Sequence, residues 1–323
     1  MVTIHNEDQY PYENLDRLVS VVMRPQGLSS KSLLNSLLYQ QAKSDYPISY
    51  DIVNALSPEL TRKIGIFTGA SDPTHYPNGE NDGPLGTIIL AEALRKIGHD
   101  VSIFIDPQLA PIMNALSHYF GHPYNIIHLN IDVPDLNTAM GDDLDVAIAV
   151  EKAGTNPAGL VHSITGYTRE GTRAKVDGLF SKLVDRGGIS ISVCDGVNEI
   201  GFGNIYDVVA KHVPWTTECR CGCDKGVMCS TTVTHLYPTA ISNWGAYALT
   251  GAFALWTGNV DLIHTPDVEA EIEQIAVEYD VRDGTTGKAC LYMDGVPLAA
   301  TQSMLVMMRN LVEISLRNYI RPF

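Results

Sequence analysis

Two stretches of the chain crowd carboxylates among glycines. The first, Gly79-Glu80-Asn81-Asp82-Gly83-Pro84, sets Glu80 and Asp82 two residues apart, with Gly83 and Pro84 fixing the backbone behind them. One carboxylate ahead of a helix is an ordinary cap or dipole partner. Two within three residues of a long loop suit a metal site or a general base. The second stretch, Asp195-Gly196-Val197-Asn198-Glu199-Ile200-Gly201, places Asp195, Asn198 and Glu199 beside glycines. Oxygen donors of this kind suit Mg²⁺ or Mn²⁺, and glycines let a backbone approach a ligand closely. The pattern is not the GxGxxG of dinucleotide sites, which sets glycines, not carboxylates, against the pyrophosphate.

Three further groups carry chemistry at lower specificity. Glu151 and Lys152 pair an acid with a base, as a surface ion pair or as part of a site. Ser242-Asn243 ahead of Trp244 reads first as a helix N-cap, a position whose open N–H groups can also hold a substrate carboxylate. Cys219, Cys221, Cys223 and Cys229 crowd one segment, but CxCxC is not the paired CxxC of zinc knuckles, and the nearest histidines, His212 and His235, flank it. Reduced thiols, a metal site and a catalytic cysteine all stay open there. His75 is the one histidine close in sequence to the acidic stretches.

The elements that must position these groups alternate. Residues 15–23, 31–42 and 51–56 have helical patterns, with Ser29 or Ser30 as candidate caps for the second. From Lys63 onward, short β-rich runs at 64–68, 101–105, 124–129, 146–150 and 189–194 alternate with helical stretches at 85–96, 107–119 and 173–186. This predicts an α/β fold: a mostly parallel sheet with helices on both faces, a Rossmann-like three-layer arrangement. The expected division is a helical segment at residues 1–62 packed on an α/β catalytic domain at 63–323. Functional loops in such sheets leave the carboxyl ends of strands. Both acidic stretches follow a strand, and Glu151 falls one residue past another, so all three could meet in one crevice. The last third reads as three helices, with Met304, Met307 and Met308 as core filler.

With 323 residues the chain can bury a substantial core, and 18% charged residues mark an ordinary globular composition. A formal charge of −15 without any Lys/Arg patch argues against a nucleic-acid partner. The amino-terminal residues have no basic and apolar leader pattern, and the longest apolar run, near 244–256, is too short to span a bilayer. The expectation is a cytoplasmic protein with a small-molecule carboxylate or amino-acid substrate, no membrane partner, and possible homo-oligomerisation.

Taken in order, Thr68-Gly69, Gly79-Glu-Asn-Asp-Gly-Pro-Leu-Gly86, Glu151-Lys-Ala-Gly, Asp195-Gly-Val-Asn-Glu-Ile-Gly-Phe-Gly203 and Ser242-Asn-Trp-Gly-Ala-Tyr247 resemble the D-glutamate cyclase-like family over residues 10–318. The resemblance implies a hydro-lyase that reversibly dehydrates D-glutamate to 5-oxo-D-proline, with a divalent metal, Mn or Mg, near the acidic loops. The chain departs from the family pattern at Asn81, where Thr is usual, and at Lys152, where Arg is usual. Such a reaction needs a base for the ammonium and a Lewis acid or N–H donors for the developing oxyanion. Asp82 or Glu80 is the candidate base and Lys152 a further catalytic group. Asp195, Asn198 and Glu199 are the candidate metal ligands. Thr68, Gly69, Gly83, Glu151, Gly196, Asn198, Ser242 and Asn243 form the candidate substrate-binding set. A metal-dependent lyase or hydrolase for another small amino or hydroxy acid, and a non-catalytic binding protein, are the alternatives.

Overall fold

A computed structural model describes residues 7–23, 35–57, 59–318 and 320. The chain opens with three helices, α1 (Tyr10–Val19), α2 (Asn35–Ala42) and α3 (Ile48–Leu56). Residues 31–34 of the expected second helix, and its candidate caps Ser29 and Ser30, lie outside the described residues. There follow β1 (Lys63–Gly69), α4 (Pro84–Lys96), β2 (Asp100–Ile105), α5 (Ala110–Tyr119), β3 (Asn125–His128), α6 (Pro134–Met140), β4 (Val146–Lys152), α7 (Asp177–Asp185), β5 (Ile189–Cys194), α8 (Tyr206–His212) and β6 (His235–Pro238). Helices α9 (Ser242–Thr257) and α10 (Pro266–Glu278), a hairpin of β7 (Tyr292–Met293) and β8 (Val296–Pro297), and α11 (Leu298–Ser315) complete it.

Strands β1 to β6 form one sheet in the order β3-β2-β1-β4-β5-β6, and every neighbouring pair is parallel. Alternation along the strands builds two cores. Ile64, Ile66, Val146, Ile148, Val150, Ile191 and Val193 face one cluster with α4, α5 and α9. Phe67, Phe104, Ala147 and Ala149 face the other, with Leu179, Phe180 and Leu183 of α7. Phe67 and Phe104 stack with ring centroids 4.4 Å apart, and Phe180 meets Phe67 edge-on. The result is the α/β architecture with helices on both faces.

Helix α9 is buried on nearly all sides, which accounts for its almost uninterrupted apolar sequence. It packs along α4 on one flank and under α1, α3 and α11 on the other. The amino-terminal helices are fixed to the sheet by Asp16 of α1, whose carboxylate accepts from Tyr39 of α2 and Tyr237 of β6, each at 2.7 Å.

Several elements depart from the sequence expectation. Helices α6 and α8 and strand β6 are short and have too little periodicity to announce themselves. The helix expected from residue 173 begins at Asp177. Residues 173–176 instead run past the sheet's end, where the N–H of Ala174 donates to Asp106 at 3.1 Å and Arg173 is buried. Met304 and Met308 are core residues, but Met307 is 61% exposed. Strand β4 runs two residues past Val150, so Glu151 and Lys152 lie within it.

Candidate active site

The chain winds outward from β1 in both directions: β2 and β3 lie on one side, and β4 to β6 on the other. Loops leaving the carboxyl ends of β1 and β4 therefore diverge and leave a crevice between them. Strand β1 ends in Thr68-Gly69 and β4 in Glu151-Lys152. The pairing of Thr68 with Val150 is followed by Gly69 with Lys152, so Glu151 is the extra residue of a bulge. Its φ of 49° lies in the left-handed region, uncommon for a residue with a side chain. That backbone turn aims its carboxylate into the crevice, where Ser242 Oγ donates to Glu151 Oε2 at 2.6 Å. Bulges and left-handed residues cost about 1–3 kcal/mol of local strain and gather at functional sites.

Asp82 reaches the crevice from the loop between β1 and α4. Its Oδ2 accepts the N–H of Ser242 at 3.1 Å, and its Oδ1 those of Asn243 at 2.7 Å and Gly83 at 3.1 Å. It thus caps α9 from a remote part of the chain. Asn243 returns the arrangement: its Oδ1 accepts from Gly83 at 2.8 Å and Gly86 at 2.7 Å, at the start of α4. Its Nδ2 donates to the Asn81 carbonyl at 3.0 Å. Ser242 and Asn243 are accordingly inside α9, with Ile241 at the cap position and no side-chain cap bond of their own. Their N–H groups, expected to be open for a substrate, are engaged by Asp82. Gly83, with φ 103°, permits this closeness: a Cβ there would stand 2.6 Å from Thr68 Oγ1 and 3.0 Å from Glu151 Cβ.

Asp195, one residue past β5, supplies the third acid. One carboxylate oxygen each from Asp82, Glu151 and Asp195 lies within 4.8 Å of the others. Burial, then the charges of Glu151 and Asp195, hold the Asp82 carboxyl well above the usual carboxylate range. Three crowded carboxylates are satisfied either by keeping a proton or by gathering around a cation. An all-oxygen donor set of this charge suits a hard divalent ion. Asp82 Oδ1 already accepts two N–H bonds and Oδ2 one, so Oδ2 is the oxygen with a lone pair left to share.

Other expected residues stand around this trio. Glu199 is buried with its carboxylate folded back on its own loop, accepting from the N–H groups of Gly196 and, at 3.3 Å, Asp195. Asn198 donates to the carbonyl of His162 at 3.0 Å. The close carboxylate group consists of Asp82, Glu151 and Asp195, without Glu199. Glu80 lies against Gly284, and its charge adds to the upward push on Asp82. The Lys152 ammonium meets Asp106 at 2.5 Å, both side chains fully buried. Burial pushes the lysine down and the aspartic acid up, and their contact opposes both shifts. His75 belongs to a turn, its ring against Asp72 at 3.0 Å and mostly exposed.

Two polar residues at the crevice were not anticipated. Asp106 directly follows β2, and the strand-end rule applied to β1, β4 and β5 would have found it. Arg173 has no local signal. It is 5% exposed and stays charged because, against its burial, Tyr76, Glu80, Asp106 and Glu151 surround it.

The three carboxylates thus meet at the reversal point of a six-stranded parallel sheet in a three-layer α/β protein, where open α/β sheets bind their ligands. The model of the D-glutamate cyclase-like, C-terminal family matches residues 21–309, and the chain belongs to that family. It is 25% identical over 307 residues to the mitochondrial D-glutamate cyclase of Homo sapiens, a match covering 81% of this chain and 47% of the human protein. The chain thus spans about half the length of that relative. No helix among the described residues is long and apolar enough to cross a membrane.

Proposed function

We propose that the chain is a D-glutamate cyclase-type hydro-lyase, interconverting D-glutamate and 5-oxo-D-proline at the crevice of Asp82, Glu151 and Asp195. The observation that carries this reading is the convergence of those three carboxylates from three strand ends, in a member of a family with that name. In the forward direction the substrate's ammonium loses a proton, and its nitrogen attacks the carbon of the distal carboxyl group. A C–N bond forms and a C–O bond breaks, and one carboxyl oxygen leaves as water with two protons, both originating from the substrate nitrogen, which keeps one hydrogen in the lactam.

Asp82, Glu151 and Asp195 would hold a Mn²⁺ or Mg²⁺ ion, which when bound supplies Lewis-acid polarisation of the reacting carboxyl group. Glu80, near enough to act on Asp82 by its charge, takes the ammonium proton. Arg173, the buried cation beside Glu80 and Glu151, receives the carboxylate that does not react, while the Lys152 ammonium is engaged by Asp106. Thr68, Gly69, Gly83 and Gly196 shape the walls, and Ser242 orients Glu151.

The test is to incubate the purified chain separately with D-glutamate, L-glutamate and 5-oxo-D-proline, with Mn²⁺ or with chelator. Interconversion of the D-compounds that Asp195→Asn abolishes is the expected result. No interconversion under any condition removes the cyclase reading, and turnover of another small amino or hydroxy acid would replace it with a different lyase or hydrolase.

A further inference from the structure

Away from the acidic crevice, the structure brings together residues whose sequence spacing gave no such signal. His162, Cys219, Cys221 and Cys223 place one nitrogen and three sulfurs within 4.8 Å of one another. Cys219 Sγ is 3.4 Å from the sulfurs of both Cys221 and Cys223, and His162 Nε2 is 3.1 Å from Cys221 Sγ. All four cysteines of the segment are free thiols, and the separations far exceed a disulfide bond of about 2.05 Å. A tetrahedral zinc ion with bonds of about 2.3 Å to sulfur and about 2.0 Å to nitrogen needs edges of roughly 3.8 Å between sulfurs and roughly 3.5 Å from sulfur to nitrogen. The Cys219–Cys221, Cys219–Cys223 and His162–Cys221 separations are about 0.4 Å short of those edges, and the remaining three are within 4.8 Å.

The surroundings are also those of a ligand set. The other ring nitrogen of His162, Nδ1, lies 3.2 Å from the Leu160 carbonyl. That contact places the ring proton on Nδ1 and leaves the Nε2 lone pair aimed at the sulfurs. Asn156 Nδ2 donates to Cys223 Sγ at 3.3 Å. Such bonds stabilise thiolates and orient them.

Residues 218–234 form neither helix nor strand, so little regular structure holds this long segment. Cys221 and Cys223 contact His162 and Asn156 of the β4–α7 connection, residues 153–176, which is held by turns and by isolated bridges such as Thr155 with Val161 and His162 with Thr168. Both segments border the Asp195 loop: Asn198 donates to the His162 carbonyl at 3.0 Å, and the Cys229 N–H to the Val197 carbonyl at 2.9 Å.

We infer that His162, Cys219, Cys221 and Cys223 form a structural Zn²⁺ site that pins the cysteine loop to the β4–α7 connection, behind the loop carrying Asp195. Three thiolates and an imidazole select zinc over the hard ions that suit the carboxylate crevice. Four protein ligands close the coordination shell and leave no position for a substrate. The site stands whatever reaction the crevice performs.

The decisive measurement is the metal content of wild-type chain purified without added metal, followed by cobalt reconstitution of the stripped, reduced protein. About one zinc per chain is expected, with cobalt giving the thiolate charge-transfer and tetrahedral d–d bands of a sulfur-rich site. Cys221→Ser/Cys223→Ser should lower zinc at least ~10-fold, while Glu151→Gln retains it. A wild-type cobalt spectrum without thiolate bands, which depends on no variant folding, overturns the inference. So does iron or copper in place of zinc, or full zinc retention by the double variant.

Discussion

Asp82 and Asn243, 161 residues apart in sequence, cap each other's helices. The Asn243 N–H donates to Asp82 at 2.7 Å, and the Asn243 side chain accepts from Gly83 and Gly86 where α4 begins. The carboxylate central to the crevice is thus also a structural hinge pin, and the two roles can be separated by choosing the partner that carries no charge.

Asn243→Ala leaves the Gly86 N–H buried without its acceptor and the Gly83 N–H with Asp82 alone, at 3.1 Å. The expected loss is about 2–4 kcal/mol of unfolding free energy, with turnover reduced because Asp82 loses its frame although every carboxylate remains. Denaturant unfolding and steady-state kinetics on one preparation check both. A stability change under about 0.5 kcal/mol would show that the reciprocal caps do not hold the two helices.

Glu151→Gly tests the opposite balance. Glycine accepts the φ of 49° without strain, and the change removes one of three crowded charges while giving up the Ser242 hydrogen bond. Expected is an unfolding midpoint equal to or above wild type, with turnover lower by about 10²-fold or more. A clear loss of stability would mean that Glu151 serves the fold and not the reaction.

Cation binding should discriminate within the second acidic loop. Mn²⁺ at about 100 times its dissociation constant should stabilise the wild-type chain by about 2.7 kcal/mol. Asp195→Asn should remove that gain, whereas Glu199→Gln should keep most of it, because Glu199 is turned to its own backbone. Thermal melts with and without chelator give the answer, and the reverse ranking would relocate the ion to Glu199.

Stability should also carry a pH signature from α10. Burial first, and then the charge of Glu269, raise the Glu273 carboxyl to about 9. A carboxyl raised on folding stabilises most below its ordinary value, and this contribution is lost as pH rises toward the folded value. The melting temperature should fall between about pH 5 and about 9, and Glu273→Gln should flatten that slope. Equal slopes in the two proteins would exclude Glu273 as the cause.

Elements governed by local rules were legible in the sequence. The period-2 runs of β1, β2, β4 and β5, and the glycine-rich loops after them, need only near neighbours to be recognised, and the strand-end rule then brought Asp82, Glu151 and Asp195 to one crevice. What was not legible depends on distant partners. Asn198 and Glu199 look as much like ligands as Asp195 does, and no spacing announces that Asn198 Nδ2 bonds the His162 carbonyl or that Glu199 accepts from the N–H of Asp195. Lys152 adjoins Glu151, but no spacing announces that its ammonium is taken up by Asp106, 46 residues earlier in the chain. His162 completes a thiol cluster whose nearest cysteine is more than fifty residues away, so no spacing motif could contain it.

The reciprocal caps also set an order of assembly. Until α9 has docked, the β1–α4 loop lacks the N–H donors that hold Asp82, and α4 lacks the acceptor for its first turn. A nascent chain that has emerged through the loop after β5 therefore already contains all three carboxylates but not their arrangement. Because that closing contact spans about half of the polypeptide, crevice formation belongs to the last, slowest stage of folding. Protease resistance of α4 and competence to bind a cation should then appear together during refolding, after the sheet itself has formed.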